Sequence, residues 1–127
     1  MLYTNLNHIE TASDYARIIR ENENVLIICG KMDPICIPFY GIAEELENVY
    51  QHVRFFDLEF DNPESLIVRE MKEVNDKNGI PLAVYYKNGN LVNVTAGIQT
   101  KNQVQTILDK EYSVTPSSFE VKSKVDV

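Results

Sequence analysis

Five consecutive apolar residues, Val25-Leu26-Ile27-Ile28-Cys29, constrain this chain more than any other feature. A run this short, closed by Gly30, reads as a strand rather than a helix. Without polar alternation it reads as buried on both faces. Such a strand needs cover above and below, and segments of the two periodicities alternate along the chain, so the expected class is α/β.

The flanking segments supply the other elements. Leu2 to Leu6 is expected as a short edge strand, and Thr11 or Ser13 caps a first helix to about Arg20 with Tyr15, Ile18 and Ile19 inward. Asp33-Pro34 marks a helix start, because the carboxylate accepts from orphan amides and proline suits the first helical position. Ile35, Phe39, Ile42, Leu46 and Val49 then recur at spacings of four and three as an apolar face, with Pro38 loosening the first turns. A third strand runs from about Val53 to Phe60. Asn62-Pro63-Glu64 opens a helix with Leu66 or Ile67, Met71 and Val74 inward and the charges Arg69, Glu70, Lys72, Glu73 and Lys77 facing water. Asn88-Gly89, between Leu82 to Tyr86 and Leu91 to Ala96, signals a hairpin. A last helix, about Lys101 to Glu111, presents Val104, Ile107 and Leu108 to the sheet. After Tyr112 the composition shifts, and residues 113–127 are expected as a tail, either flexible or an added edge strand carrying Phe119 and Val121.

At 127 residues the chain is expected to form one folded domain, over 1–112, followed by that tail. The net charge of -7 argues against binding nucleic acid or an anionic membrane, since no basic stretch is available to neutralise phosphates. No apolar run is long enough to span a bilayer and none near the amino terminus follows a basic segment, so the expected compartment is the cytoplasm. Two cysteines do not make a disulfide framework, and His8 and His52 are too far apart in sequence for metal-ligand spacing. Neither a metal nor another cofactor is expected.

The order strand, helix, strand, helix, strand, helix, hairpin, helix resembles the thioredoxin fold, which implies a central mixed β-sheet with helices on both faces. Asn78-Gly79-Ile80-Pro81-Leu82 is similar to the loop that carries that family's cis-proline. Gly97 and Thr100-Lys101-Asn102-Gln103-Val104 are similar to its late glycine and last-helix entry. Counted without gaps from the buried strand, Asp33-Pro34-Ile35-Cys36 falls on the family's Cys-Gly-Pro-Cys. The resemblance therefore implies that Cys36 matches the resolving cysteine, that Asp33 replaces the nucleophile, and that Met32 replaces the usual tryptophan. The family's buried acid falls at Ile27, and the lysine usually near it falls at Asp57.

Disulfide reduction by a dithiol needs one thiolate to attack and a second thiol to release the mixed disulfide. Asp33 cannot perform the first step, so dithiol reductase activity is not expected. A helix start favours a thiolate at Cys36 while Asp33 opposes it, and the sequence leaves the sign of the net shift open. Asp33 itself reads first as a helix cap and second as an acid for a cationic group on a partner. Alternation through Val53 to Phe60 places Phe55, Asp57 and Glu59 on one strand face. Asp57 is then either a partly solvated strand-end charge or a buried acid beneath the turn with a raised pKa. Cys29, at the end of a core strand, is expected to be too far from Cys36 to pair with it.

Three functions follow as expectations. The first is an atypical, redox-associated thioredoxin-like protein that binds a protein or extended peptide at Met32, Asp33, Pro34, Ile35, Ile80 and Pro81, Ile80 pairing its backbone with the peptide. The second is a monothiol oxidoreductase in which Cys36 attacks and a low-molecular-weight thiol resolves the intermediate. The third is an assembly factor acting through the tail.

Overall fold

Local sequence chemistry sets most element boundaries. The structure, a computed structural model, describes residues 2–77 and 79–113. In chain order these form β1 (Asn7–Ile9), α1 (Ala12–Glu21), β2 (Asn24–Gly30), α2 (Ile37–Val49), β3 (Arg54–Glu59), a 3-10 turn (Pro63–Ser65), α3 (Leu66–Arg69), α4 (Lys72–Asn75), β4 (Leu82–Lys87), β5 (Asn90–Ala96) and α5 (Lys101–Glu111). The expected tail, apart from Ser113, and Asn78 lie outside the described residues.

Caps explain several starts. The Thr11 side chain accepts the Asp14 amide at 3.0 Å and the Asn62 side chain accepts the Glu64 amide at 2.9 Å. Thr100 and Gln103 satisfy each other's backbone amides in a capping box ahead of α5. The hairpin turn holds Asn88 at φ 52° and Gly89 at φ 80°, left-handed conformations that asparagine and glycine adopt at least cost.

The sheet order is β1-β3-β2-β4-β5. β1, β3 and β2 run parallel, and β4 and β5 continue antiparallel, so the sheet is mixed. Alternation along β2 sends Leu26 and Ile28 to one core and Val25, Ile27 and Cys29 to the other. α2 and α5 cover the first face with Phe39, Tyr40, Leu46, Val104 and Leu108. α1, α3 and α4 cover the second with Tyr15, Ile18, Val68 and Val74. Each fully buried aliphatic side chain contributes about 1.5–3 kcal/mol of transfer free energy, and β2 contributes to both cores.

Three expectations need correction. The edge strand is Asn7–Ile9 rather than Leu2 to Leu6; Leu2 and Leu6 instead turn into the α2-side core. The helix after Asn62 is broken into a 3-10 turn and two short helices, with Val68 and Ser65 buried and Leu66 exposed. In α2 the buried set is Phe39, Tyr40, Ala43 and Leu46, whereas Ile35 and Val49 are 56% and 68% exposed. Phe39 and Leu46 lie in the core with Ile42 packed against it, as expected, and Ile35 is left out because the regular helix begins only at Ile37.

Candidate functional site

β2 ends at Gly30 and delivers the chain into the turn Lys31 to Cys36. Asp33 organises that turn: its carboxylate accepts the amides of Ile35 at 3.1 Å and Cys36 at 2.7 Å. Its carbonyl accepts the Ile37 amide at 3.0 Å. Pro38 has no N–H, so the helical ladder misses a bond here. The Phe39 and Tyr40 amides both return to the Cys36 carbonyl, at 3.0 and 3.2 Å. Asp33 therefore caps a separate turn, and α2 proper starts after Cys36.

Cys36 is 0% exposed. Its sulfur shares a junction with Tyr40 and Pro81 around Gly30: a Cβ added at Gly30 would lie 3.1 Å from Cys36 Sγ, 2.5 Å from Tyr40 Oη and 3.4 Å from Pro81 Cβ. The Tyr40 hydroxyl donates to the Lys31 carbonyl at 3.1 Å. Burial pushes the Cys36 thiol up to about 11; a backbone hydrogen bond from Lys31 opposes that rise and Asp33 adds to it. The Cys36 and Ile35 amides hold the Asp33 carboxyl below the ordinary aspartate value, the Cys36 amide most of all. The sign that the sequence left open is thus upward. At neutral pH Cys36 is a buried thiol beside a carboxylate, a poor attacking group. Cys29 packs into the opposite core, burial pushes its thiol up to about 12, and both cysteines are free.

The Ile80-Pro81 peptide is cis, and the Pro81 carbonyl accepts the Gly97 amide at 3.0 Å. Because Cys36 and Pro81 meet at Gly30, their neighbours Ile35 and Ile80 flank one junction. Met32, Pro34 and Ile35 are exposed and Ile80 is half-buried. Ile98, beside Gly97, adds a further exposed apolar side chain that sequence reasoning missed. The Tyr3 amide donates to Met32 Sδ at 3.3 Å, so the amino-terminal segment lies against the turn.

Asp57 is 0% exposed, which corrects the expectation of a partly solvated charge. It shares a strand face with Phe55, but its partners are the Thr4 hydroxyl and His8 Nδ1, the latter at 2.6 Å. Burial raises its pKa above the ordinary carboxylate value; the Thr4 and His8 bonds pull it back, and Glu44 adds to the rise. Asp57 and His8 line a cavity of about 350 Å3 next to β1. Burial first, then Cys36 and Asp57, raise the pKa of the Tyr40 hydroxyl. Asp57 thus serves the amino-terminal segment rather than the turn. His8 and Thr4 were missed because nothing local links them to a residue about fifty positions away.

No protein-family model matches the chain, and no curated protein matches it significantly. Solved structures do match. Mitochondrial thioredoxin 3 from Saccharomyces cerevisiae, oxidised, is 17% identical with a TM-score of 0.70, over 83% of this chain and 94% of that one. Oxidised thioredoxin from Plasmodium falciparum is 22% identical with a TM-score of 0.67, over 86% and 99%. Thioredoxin f2 of Chlamydomonas reinhardtii is 12% identical with a TM-score of 0.71, over 87% and 99%. This chain has the thioredoxin fold. On that fold the described residues keep the turn at the end of a buried strand, the cis peptide at Pro81 and the late glycine. Position 33 carries a carboxylate and Ile27 is a fully buried apolar residue. Among the described residues, no group of three or more His, Cys, Asp or Glu is arranged to hold a metal, and no helix is long and apolar enough to cross a membrane.

Proposed function

We propose that this protein is an atypical, redox-associated thioredoxin-like protein that binds a protein partner, as an extended segment, at the turn Met32 to Ile35 and the Ile80-Pro81 loop. The observation that carries the reading is Asp33 itself: its carboxylate is committed to the Ile35 and Cys36 amides, in the position a nucleophile would need. The apolar rim of Met32, Ile35 and Ile80 supports a binding role, since extended peptides add to backbone beside such a loop and bury alternate side chains. Nothing favours monothiol exchange with a low-molecular-weight thiol, because Cys36 is buried and its thiol is pushed up to about 11. An assembly role for the tail would rest on residues outside those described.

Insulin disulfide reduction with dithiothreitol tests the reading. The unmodified protein should not accelerate the reaction over dithiothreitol alone, and Asp33→Cys should. Turnover by the unmodified protein would overturn the proposal. Capture of a partner that survives Cys36→Ser would set binding apart from thiol exchange.

A further inference from the structure

Phe60, just beyond β3, has two cations near its ring. Lys31 Nζ is 5.5 Å from the centre of its ring and the Arg69 guanidinium carbon 5.4 Å. Arg69 Nε donates to Ser65 Oγ at 2.7 Å, and the buried Ser65 hydroxyl donates to the Phe60 carbonyl at 2.6 Å. That relay holds the guanidinium in place over the ring. Phe60 and Arg69 open onto a pocket of about 310 Å3 that Lys77 and Ile80 also line, directly beside the cis peptide.

The charges of this pocket are unusual for the chain. The sequence carries 19 acidic against 12 basic residues, and the helix bearing Arg69 and Lys77 reads as an ordinary wet face. Yet Arg69 is half-buried, and among the described residues no carboxylate is paired with it or with Lys77. Asp61, just after Phe60, pairs with Lys31 at 3.6 Å. Glu73 and Asp76 line a neighbouring groove that Lys77 also borders, so Arg69 is the dominant charge of the pocket itself. A guanidinium fixed at Nε keeps its outer fork for a planar, anionic partner, which is the geometry that binds a carboxylate with two parallel hydrogen bonds.

We infer that the pocket beside the cis-Pro loop takes an acidic side chain, Asp or Glu, of the extended segment that docks at Ile80, with Arg69 gripping its carboxylate and Lys77 adding charge. This rests on the reading of the Ile80-Pro81 loop as a peptide site and names the chemistry of its occupant. Val74, Ile80 and Leu82 supply apolar lining for the aliphatic part of a glutamate.

Selection of a displayed random seven-residue peptide library on the full chain tests it, followed by anisotropy titration of the best peptide and its Glu→Gln or Asp→Asn counterpart. Amide shifts of isotope-labelled protein at Gly79, Ile80 and Gly97 report where the peptide sits. The expected result is enrichment of acidic residues, roughly tenfold weaker binding of the amide counterpart, loss of that difference in Arg69→Gln, and a reduced difference in Arg69→Lys, which keeps the charge but not the fork. Affinity should also fall as ionic strength rises, and Lys77→Gln, at an exposed position, should weaken it less. Peptides that shift the Ile80 amide equally with or without the acid would overturn this inference and leave the peptide site standing. Absence of any peptide that shifts those amides would overturn both.

Discussion

The Asp33 carboxylate accepts the Cys36 amide at 2.7 Å, so an acidic side chain caps the turn that holds Cys36. The two side chains are electrostatically opposed: the cap lowers the pKa of Asp33, and Asp33 helps raise that of Cys36. Asparagine at position 33 can still accept the amides but carries no charge. Asp33→Asn should therefore lower the Cys36 pKa, read from the pH dependence of iodoacetamide alkylation. Burial is the larger cause, so the value should stay above the free thiol value of about 8.5. A drop below it would show that Asp33, not burial, controls the sulfur.

Acid titration checks the same cap from the other side. A carboxyl whose folded pKa is depressed contributes stability above its ordinary pKa and loses it as pH falls through the folded value. Asp33 is such a group, so the Tm of Asp33→Asn should fall less steeply on acidification than that of the unmodified protein. Parallel Tm profiles would show that the cap is not formed in solution.

Cys36 should resist modification in the native state. With its thiol near 11, the thiolate fraction at pH 7 is about one in ten thousand before access is considered. Ellman's reagent should titrate neither cysteine rapidly in the folded protein and both in denaturant. Fast stoichiometric release from the folded chain would mean that the turn opens.

Asp57 predicts the opposite pH trend. Its folded pKa is raised by burial, so the folded state holds a proton that the unfolded chain releases between the two pKa values. This group's contribution to stability is therefore lost as pH rises from the ordinary carboxylate value through the raised one, and is regained on acidification. In Asp57→Asn that slope should flatten, as measured by urea unfolding across the mildly acidic range. An unchanged slope would show that Thr4 and His8 fully offset the burial.

Gly30→Ala tests the junction directly. The added methyl would sit 2.5 Å from Tyr40 Oη, so Tyr40 must move and release its bond to the Lys31 carbonyl. A loss of about 1–3 kcal/mol in unfolding free energy is expected, as for other overpacked cores. A neutral substitution would mean that Tyr40 has room to yield.

Much of the fold was legible because it is decided over a few residues. The two-sided burial of Val25 to Cys29, the caps at Thr11 and Asn62, and the turn at Asn88-Gly89 each depend on backbone geometry or periodicity within one element. Pro38 was read correctly as loosening the start of α2. Its consequence was not: the regular helix begins at Ile37, leaving Ile35 in solvent. Gly30 and Tyr40 carried a faint signal, one closing the apolar run and the other standing four residues after Cys36.

The sequence by itself determined that the strand Val25 to Cys29 would be covered on both faces and that a carboxylate, Asp33, would follow it in the turn before Cys36. Those are matters of residue identity and local spacing. Tertiary structure alone decided the protonation of Cys36, the burial of Asp57 with Thr4 and His8, and the placing of Arg69 beside the cis-Pro loop. Desolvation and charge pairing depend on which distant segments close over a group, and no periodicity along the chain records that.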